Sequence, residues 1–138
     1  MSVFKELEKR GLVDSTTSDQ VGPKVDRPRL TFYVGFDPTA DSFHIGQLAI
    51  FNLMGLLQKA GHKPIALVGG ATGLIGDPGG KSKERNLLSS QQIQNHIAGQ
   101  KKQLEHFIDF SGDKGALLLD NQNWLGKWGY IDFLRDVG

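Results

Sequence analysis

The stretch that most constrains this chain is a strand signal broken by a turn and followed at once by a helix signal. Leu30 to Phe36 is a run of β-branched and aromatic residues, and Asp37, Pro38, Asp41 and Ser42 then supply turn chemistry. An apolar helical repeat begins at about His44 and carries Ile45, Leu48, Ala49, Met54, Leu56 and Leu57 as far as Gly61. Pro64 to Val68 follows as a short continuous apolar run, the pattern of a strand buried on both faces of a parallel sheet. Strand, helix and strand at this spacing form a βαβ unit, so both strands end at one carboxyl edge, where ligands bind in open α/β sheets.

The rest of the chain extends that plan. A helix is predicted from about Ser2 to Arg10 with Gly11 as its cap, then a loop over Asp14 to Gln20 and a linker over Val21 to Pro28. Ser89 and Gln92 are spaced as a capping box, opening a helix expected to reach about Phe110 with a weak point at Gly99. Ala116 to Leu119 is predicted as a third parallel strand, with Asp120, Asn121, Gln122, Asn123 and Trp124 at its carboxyl end, and Tyr130 to Val137 has helical spacing. With 138 residues the chain is one domain's worth, and its 38% hydrophobic and 22% charged content is that of a water-soluble fold. No apolar run approaches a membrane span and the N-terminus lacks a signal-type core, which predicts a cytoplasmic protein. Cysteine is absent, excluding disulfides, thiol nucleophiles and thiolate zinc sites, and a formal net charge of +1 does not mark a nucleic-acid surface.

A strand-turn-helix junction is a ready anion site, because the first N–H groups of a helix lack intrahelical partners. Gly46 falls in the first turn, where a side chain would obstruct anything lying on the backbone, and His44 and Thr39 add two donors at the same mouth. The glycine-rich segment Gly76 to Ser82 is not a P-loop, since Ile75 stands five residues before Gly80 where that motif has glycine, and no Gly-x-Gly-x-x-Gly follows either strand. A nucleotide would therefore be held along Phe32 to Ala49. The plain alternatives are a His44 that caps its own turn and a solvated charged loop at Lys81, Lys83 and Arg85. For Tyr33 the plain reading is packing toward the core, for Asp77 a turn residue, and for Trp124 and Trp128 packing. His62, His96 and His106 share no metal-ligand spacing and read as surface residues.

The words Tyr33-Val34-Gly35-Phe36-Asp37-Pro38-Thr39, His44-Ile45-Gly46-Gln47 and Gly69-Gly70-Ala71-Thr72-Gly73-Leu74-Ile75-Gly76-Asp77-Pro78 resemble bacterial-type tyrosyl-tRNA synthetases of class I. The His-Ile-Gly-Gln element is similar to the first signature of that class, with Gln47 where the family has a second His. The resemblance runs from about Phe4 to Gly138 and covers the front third of such an enzyme. It implies the first half of a doubly wound, Rossmann-like (HUP-type) α/β nucleotide-binding domain, three parallel strands with flanking helices. Residues 1–29 would be an N-terminal helix and linker, and 30–138 the truncated catalytic domain. The implied activity is tyrosine–tRNA ligase: ATP-dependent formation of tyrosyl-adenylate and transfer to tRNA(Tyr).

By resemblance Thr39, His44, Lys81 and Arg85 are catalytic, the last two as cations that reach the pyrophosphate. Gly35, Asp37, Thr39, His44, Gly46 and Gln47 would contact ATP, and Tyr33, Leu67, Thr72, Asp77 and Asn121 would hold tyrosine. Val34 and Ile50 stand where some members have Cys and Thr against the ribose. Mg²⁺ would accompany ATP, no zinc is expected, and the family is homodimeric. A chain of this extent would lack the Lys-Met-Ser-Lys-Ser type loop and be inactive alone, with an open sheet edge inviting association. The rivals are a non-catalytic nucleotide-binding or interaction module and the tryptophanyl sister enzyme.

Overall fold

A computed structural model describes residues 2–27, 29–75 and 88–138. Three parallel strands, β1 (Thr31–Phe36), β2 (Lys63–Val68) and β3 (Leu117–Asp120), lie side by side in the order β1-β2-β3. Phe36, Val68 and Asp120 share the last row of the sheet, at its carboxyl edge. A 3-10 turn, Ile45–Gln47, leads into helix α3 (Leu48–Lys59), which connects β1 to β2, and α4 (Gly70–Ile75) and α5 (Ser90–Leu104) lie between β2 and β3.

Helices α3 and α5 cover the same face of the sheet. Their buried residues Phe51, Met54, Ile93, Ile97 and Leu104 pack with Phe36, Ala66 and Val68 in one core. Sequential strand order with both crossovers on one side is the outcome expected of successive crossovers of one hand. The opposite face has no covering layer among the described residues. Tyr33, Ile65 and Leu117 form one row on it and Gly35, Leu67 and Leu119 the next. β2 is therefore not buried on both faces as its unbroken apolar run predicts: Pro64, Ala66 and Val68 are buried and the alternate residues only partly so. A continuous apolar run records what a strand can tolerate on both sides, and one side here is bare.

Helix α1 (Val3–Lys9) is capped by Ser2, and Gly11 at φ 67° closes it as predicted, in a conformation that side chains disfavour. The predicted linker contains a further helix, α2 (Val21–Val25). Its proline lies in the first turn, where no intrahelical N–H is needed, and Val25 is buried against Leu7 and Leu57. α5 has the predicted capping box at Ser89 and Gln92 but ends at Leu104, six residues short of Phe110. Beyond it Phe107 N–H bonds to Leu104 O, the carbonyl of Phe107 lies against Gly55 of α3, and the chain turns toward β3. Helices α6 (Gln122–Leu125) and α7 (Tyr130–Asp136) finish the chain with few buried side chains, and Trp124 and Trp128 stay half exposed. Trp128 meets only Phe133 edge-on at 6.4 Å among the aromatic pairs, so neither indole is a core residue.

His62 departs most from its predicted place. It is only 3% exposed, and its Nδ1 accepts the Leu30 N–H at 3.3 Å at the entry to β1, while Nε2 has no partner among the described residues. His106 is exposed, and His96 is partly buried with a carbonyl partner described below.

Candidate active site at the carboxyl edge of the sheet

After β1 the chain leaves the sheet as an irregular turn from Asp37 to Phe43. Pro38 is fully buried, while Asp37 and Thr39 on either side are exposed at the edge. Phe43 anchors the far end: its ring packs edge-on against Phe36 at 5.1 Å and Phe51 at 4.8 Å. The turn then delivers His44 as the cap of the 3-10 turn.

His44 and Gln47 cap each other. The Gly46 N–H donates to His44 Nδ1 at 3.0 Å, and the His44 N–H donates to Gln47 Oε1 at 3.0 Å. Gln47 N–H bonds to the His44 carbonyl. The amides of His44, Gly46 and Gln47 are thus already satisfied, where open N–H donors were expected. The physical reason is the capping box, which His44 and Gln47 supply from within the motif. With Nδ1 accepting, the neutral imidazole carries its proton on Nε2, a donor presented by an exposed side chain. Gly46 also has a steric role within the motif itself. A Cβ there would sit 2.8 Å from His44 Cε1 and 2.9 Å from Nδ1, so glycine is what allows the ring to fold back over its own turn.

After β2 the chain enters α4 at once, and residues of β3's carboxyl end cap it. Asp120 Oδ1 accepts the N–H groups of Gly70 at 3.0 Å and Gln122 at 2.9 Å. Asn121 Oδ1 accepts the Ala71 N–H at 2.8 Å, and its Nδ2 donates to Thr72 Oγ1 at 3.2 Å. A Cβ on Gly70 would collide with the Asp120 carboxylate. One on Gly69 would collide with the Thr72 hydroxyl and lie 3.0 Å from Asp37 Oδ1. Asp37 from β1, Gly69 and Thr72 from β2 and its helix, and Asn121 from β3 therefore meet at one point of the carboxyl edge.

Tyr33 lies on the uncovered face and is 69% exposed, so packing toward the core does not account for it. Gly35 is two residues nearer the carboxyl edge, with nothing within 4 Å of where a Cβ would be, and Leu67 is beside it in register. Val34 points to the opposite, covered face and packs against the core, and Ile50 is partly exposed on α3. Asp77, Lys81 and Arg85, with Lys83, lie outside the described residues. A hollow of about 330 Å³ beside His44 is lined by Phe43, Ile45, Leu48, Gln103 and Phe107. A larger one of about 650 Å³, bounded by Arg10, Asn52, Lys59 and His106, contains none of the predicted site residues. Sequence reasoning missed Asp120, whose signal was present: an acidic residue at the carboxyl end of a strand, two places before a helix start.

Residues 25–138 match the family model described as tRNA synthetases class I (W and Y). The chain is 49% identical over 138 residues to a tyrosine–tRNA ligase of Rhodopirellula baltica, covering 99% of this chain and 32% of that protein. It is 51% identical over 140 residues to one of Streptococcus mutans, covering 100% of this chain and 34% of that protein. The chain thus spans about a third of the length of these relatives. Among solved structures, a C-terminally truncated mitochondrial tyrosyl-tRNA synthetase of Coccidioides posadasii superposes with a TM-score of 0.73 at 29% identity, over 98% of this chain and 39% of that one. A truncated mitochondrial tyrosyl-tRNA synthetase of Aspergillus nidulans gives 0.65 at 28% identity. The parallel β1-β2-β3 sheet is thus the Rossmann-like half-sheet of a class I synthetase, and the chain belongs to the class I tRNA synthetases of the W and Y family.

Proposed function

We propose that this chain forms the ATP- and tyrosine-facing part of a tyrosine–tRNA ligase, which activates L-tyrosine as tyrosyl-adenylate and passes it to tRNA(Tyr). The observation that carries the reading is the meeting of Asp37, Gly69, Thr72 and Asn121 at the edge, with the exposed Tyr33 on the open face below. Tyr33 is three residues before the last row of the sheet, about 10 Å along the strand at a normal β rise. An amino acid lying on the bare face would keep its polar head beside Thr72 and Asn121, with Asp77 as the ammonium partner that the resemblance implies, and send its side chain past Leu67 toward the Tyr33 hydroxyl. Tyrosyl-tRNA synthetases are themselves the general example of a site that hydrogen-bonds a phenol and so rejects the analogue lacking it. The relatives named above favour tyrosine over tryptophan.

The chemistry needs no covalent nucleophile. The tyrosine carboxylate attacks the α-phosphorus in line, pyrophosphate leaves, and the protein positions the reactants and stabilises charge. His44 Nε2–H and the Thr39 hydroxyl would donate to phosphate oxygens, with Gly35, Asp37, Gly46 and Gln47 lining the nucleoside. Lys81 and Arg85 would supply positive charge as pyrophosphate develops, which favours the transition state over bound substrate. Mg²⁺ would neutralise charge on the triphosphate. Among the described residues no group of three or more carboxylate, His or Cys side chains is arranged around an ion of its own, and a cation carried by phosphates requires none. Among these residues no helix is long and apolar enough to cross a membrane, and the working protein is read as cytoplasmic and homodimeric.

The test is ATP–pyrophosphate exchange by the protein that carries this chain. Exchange dependent on tyrosine, and lost in His44→Ala, is the expected result. Exchange driven by tryptophan, or by neither amino acid, overturns it.

A further inference from the structure

The turn from Asp37 to Phe43 has no regular structure, and among the described residues none of its backbone groups takes part in a backbone hydrogen bond. Its polar groups go instead to one stripe of α5. Gln100 Nε2 donates to the carbonyls of Asp37 at 3.2 Å and Ala40 at 3.1 Å. His96 Nδ1 donates to Pro38 O at 2.9 Å, and Gln103 Oε1 accepts the Phe43 N–H at 2.7 Å. Between them Gly99 lies so close to the Asp41 carbonyl that any Cβ would collide with it. Positions 96, 99, 100 and 103 are spaced i, i+3, i+4 and i+7, a single face of a helix. The glycine that reads as a weak point in α5 is thus the place of closest approach.

We propose that α5 is the clamp that sets the position of Thr39 and His44, with Gln100 as its central positioning residue. The inference rests on the functional reading above, in which Thr39 and His44 face the ATP phosphates. Gln100 is only 2% exposed, and its Oε1 has no partner among the described residues. An orphaned buried acceptor is a cost to stability that a leucine of similar size would not incur. The two carbonyls that its amide holds lie in part-buried bonds, so losing the amide takes their donor away. What the side chain adds is a fixed turn. His44 hangs from the end of that turn, and small displacements of catalytic donors cost rate out of proportion to their size.

The deciding variant is Gln100→Leu. Amide hydrogen exchange in this chain reads the clamp directly: exchange at Phe43 to Gln47 is expected to rise about 10-fold or more while amides of β1 and α5 are unchanged. In the protein that carries the chain, kcat for tyrosine-dependent pyrophosphate exchange is expected to fall about 10-fold or more with the KM for tyrosine unaltered. Gln100→Glu, which cannot donate to the two carbonyls, should reproduce both effects. Should Gln100→Leu fail to fold, Gln103→Met removes only the half-buried bond to Phe43 N–H and is expected to give the same changes in smaller degree. Unchanged exchange in the turn overturns the clamp, as does a loosened turn with unchanged kcat. A wild-type protein with no tyrosine-dependent exchange at all would overturn the functional reading, while the hydrogen-exchange result still judges the hold of α5.

Discussion

The two faces of the sheet are made by alternate residues of the same three strands, yet they do different work. Phe36, Ala66 and Val68 face α3 and α5 and are buried, while Tyr33, Gly35, Leu67 and Leu119 face outward and stay partly or largely exposed. Burial of the first set supplies the free energy that orders the domain. The second set contributes little to that, and it holds Tyr33 and Leu67, two of the residues predicted to touch tyrosine. A β-strand separates the two duties by its period of two, so residues one place apart carry stability and recognition independently.

The sharpest way to break that division is to cut into the covered face. Met54 is completely buried at the centre of the core, and Met54→Ala is expected to destabilise the domain by about 2–5 kcal/mol, read from the denaturant midpoint. A loss below about 1 kcal/mol would mean the covered face is not what stabilises the fold. A smaller effect comes from Gly55→Ala on the same helix. On a free helix that change stabilises, but here the new methyl would lie 2.8 Å from the Phe107 carbonyl. Destabilisation by about 1–3 kcal/mol is expected, and stabilisation would show that α3 and the end of α5 can slide apart.

How much of this was legible in the sequence follows the same division. Strands, their parallel order and the capped helices α1 and α5 were readable because local chemistry decides them: β-branched runs, Ser2, and the Ser89–Gln92 box. The first signature was readable as a motif, and the structure brings Asp37, Thr72 and Asn121 to one edge. What was not readable depends on contacts distant in sequence. α2 forms in a proline-containing stretch because Val25 finds Leu7 and Leu57. His62 is buried because a backbone N–H at Leu30 needs an acceptor. Gly99 reads as a flaw until Asp41 is brought against it, and Asp120 as an ordinary loop acid until Gly70 of a neighbouring strand's helix meets it.

On the open face the comparison predicts function without stability. Tyr33→Phe removes a hydroxyl from a residue with little burial, so the midpoint should move by less than about 0.5 kcal/mol. In the protein that carries the chain, discrimination of tyrosine from phenylalanine should fall, because the partner proposed for the substrate phenol is gone. An unchanged ratio of kcat/KM for the two amino acids would remove Tyr33 from the pocket.

The smallest expected effect lies away from both faces, where the N-terminal helices pack on the domain. The Phe4 N–H (3.0 Å) and the Ser2 hydroxyl (2.8 Å) donate to Asp26, and these bonds hold its carboxyl below the usual carboxylate range. A depressed folded-state value means that the contribution is complete above the unfolded value, about pH 4, and disappears as pH falls through the folded one. Asp26→Asn should therefore loosen α1 slightly at neutral pH, and the difference from wild type should shrink as pH falls below about 4. Amide exchange at Phe4 and Lys5 followed from pH 7 downward, corrected for the intrinsic rate, reads this without involving the sheet. No difference between Asp26→Asn and wild type at neutral pH would show that the helix is held by the Leu7, Val25 and Leu57 contacts alone. The apolar packing that dominates the covered face would then extend unaided to the N-terminus.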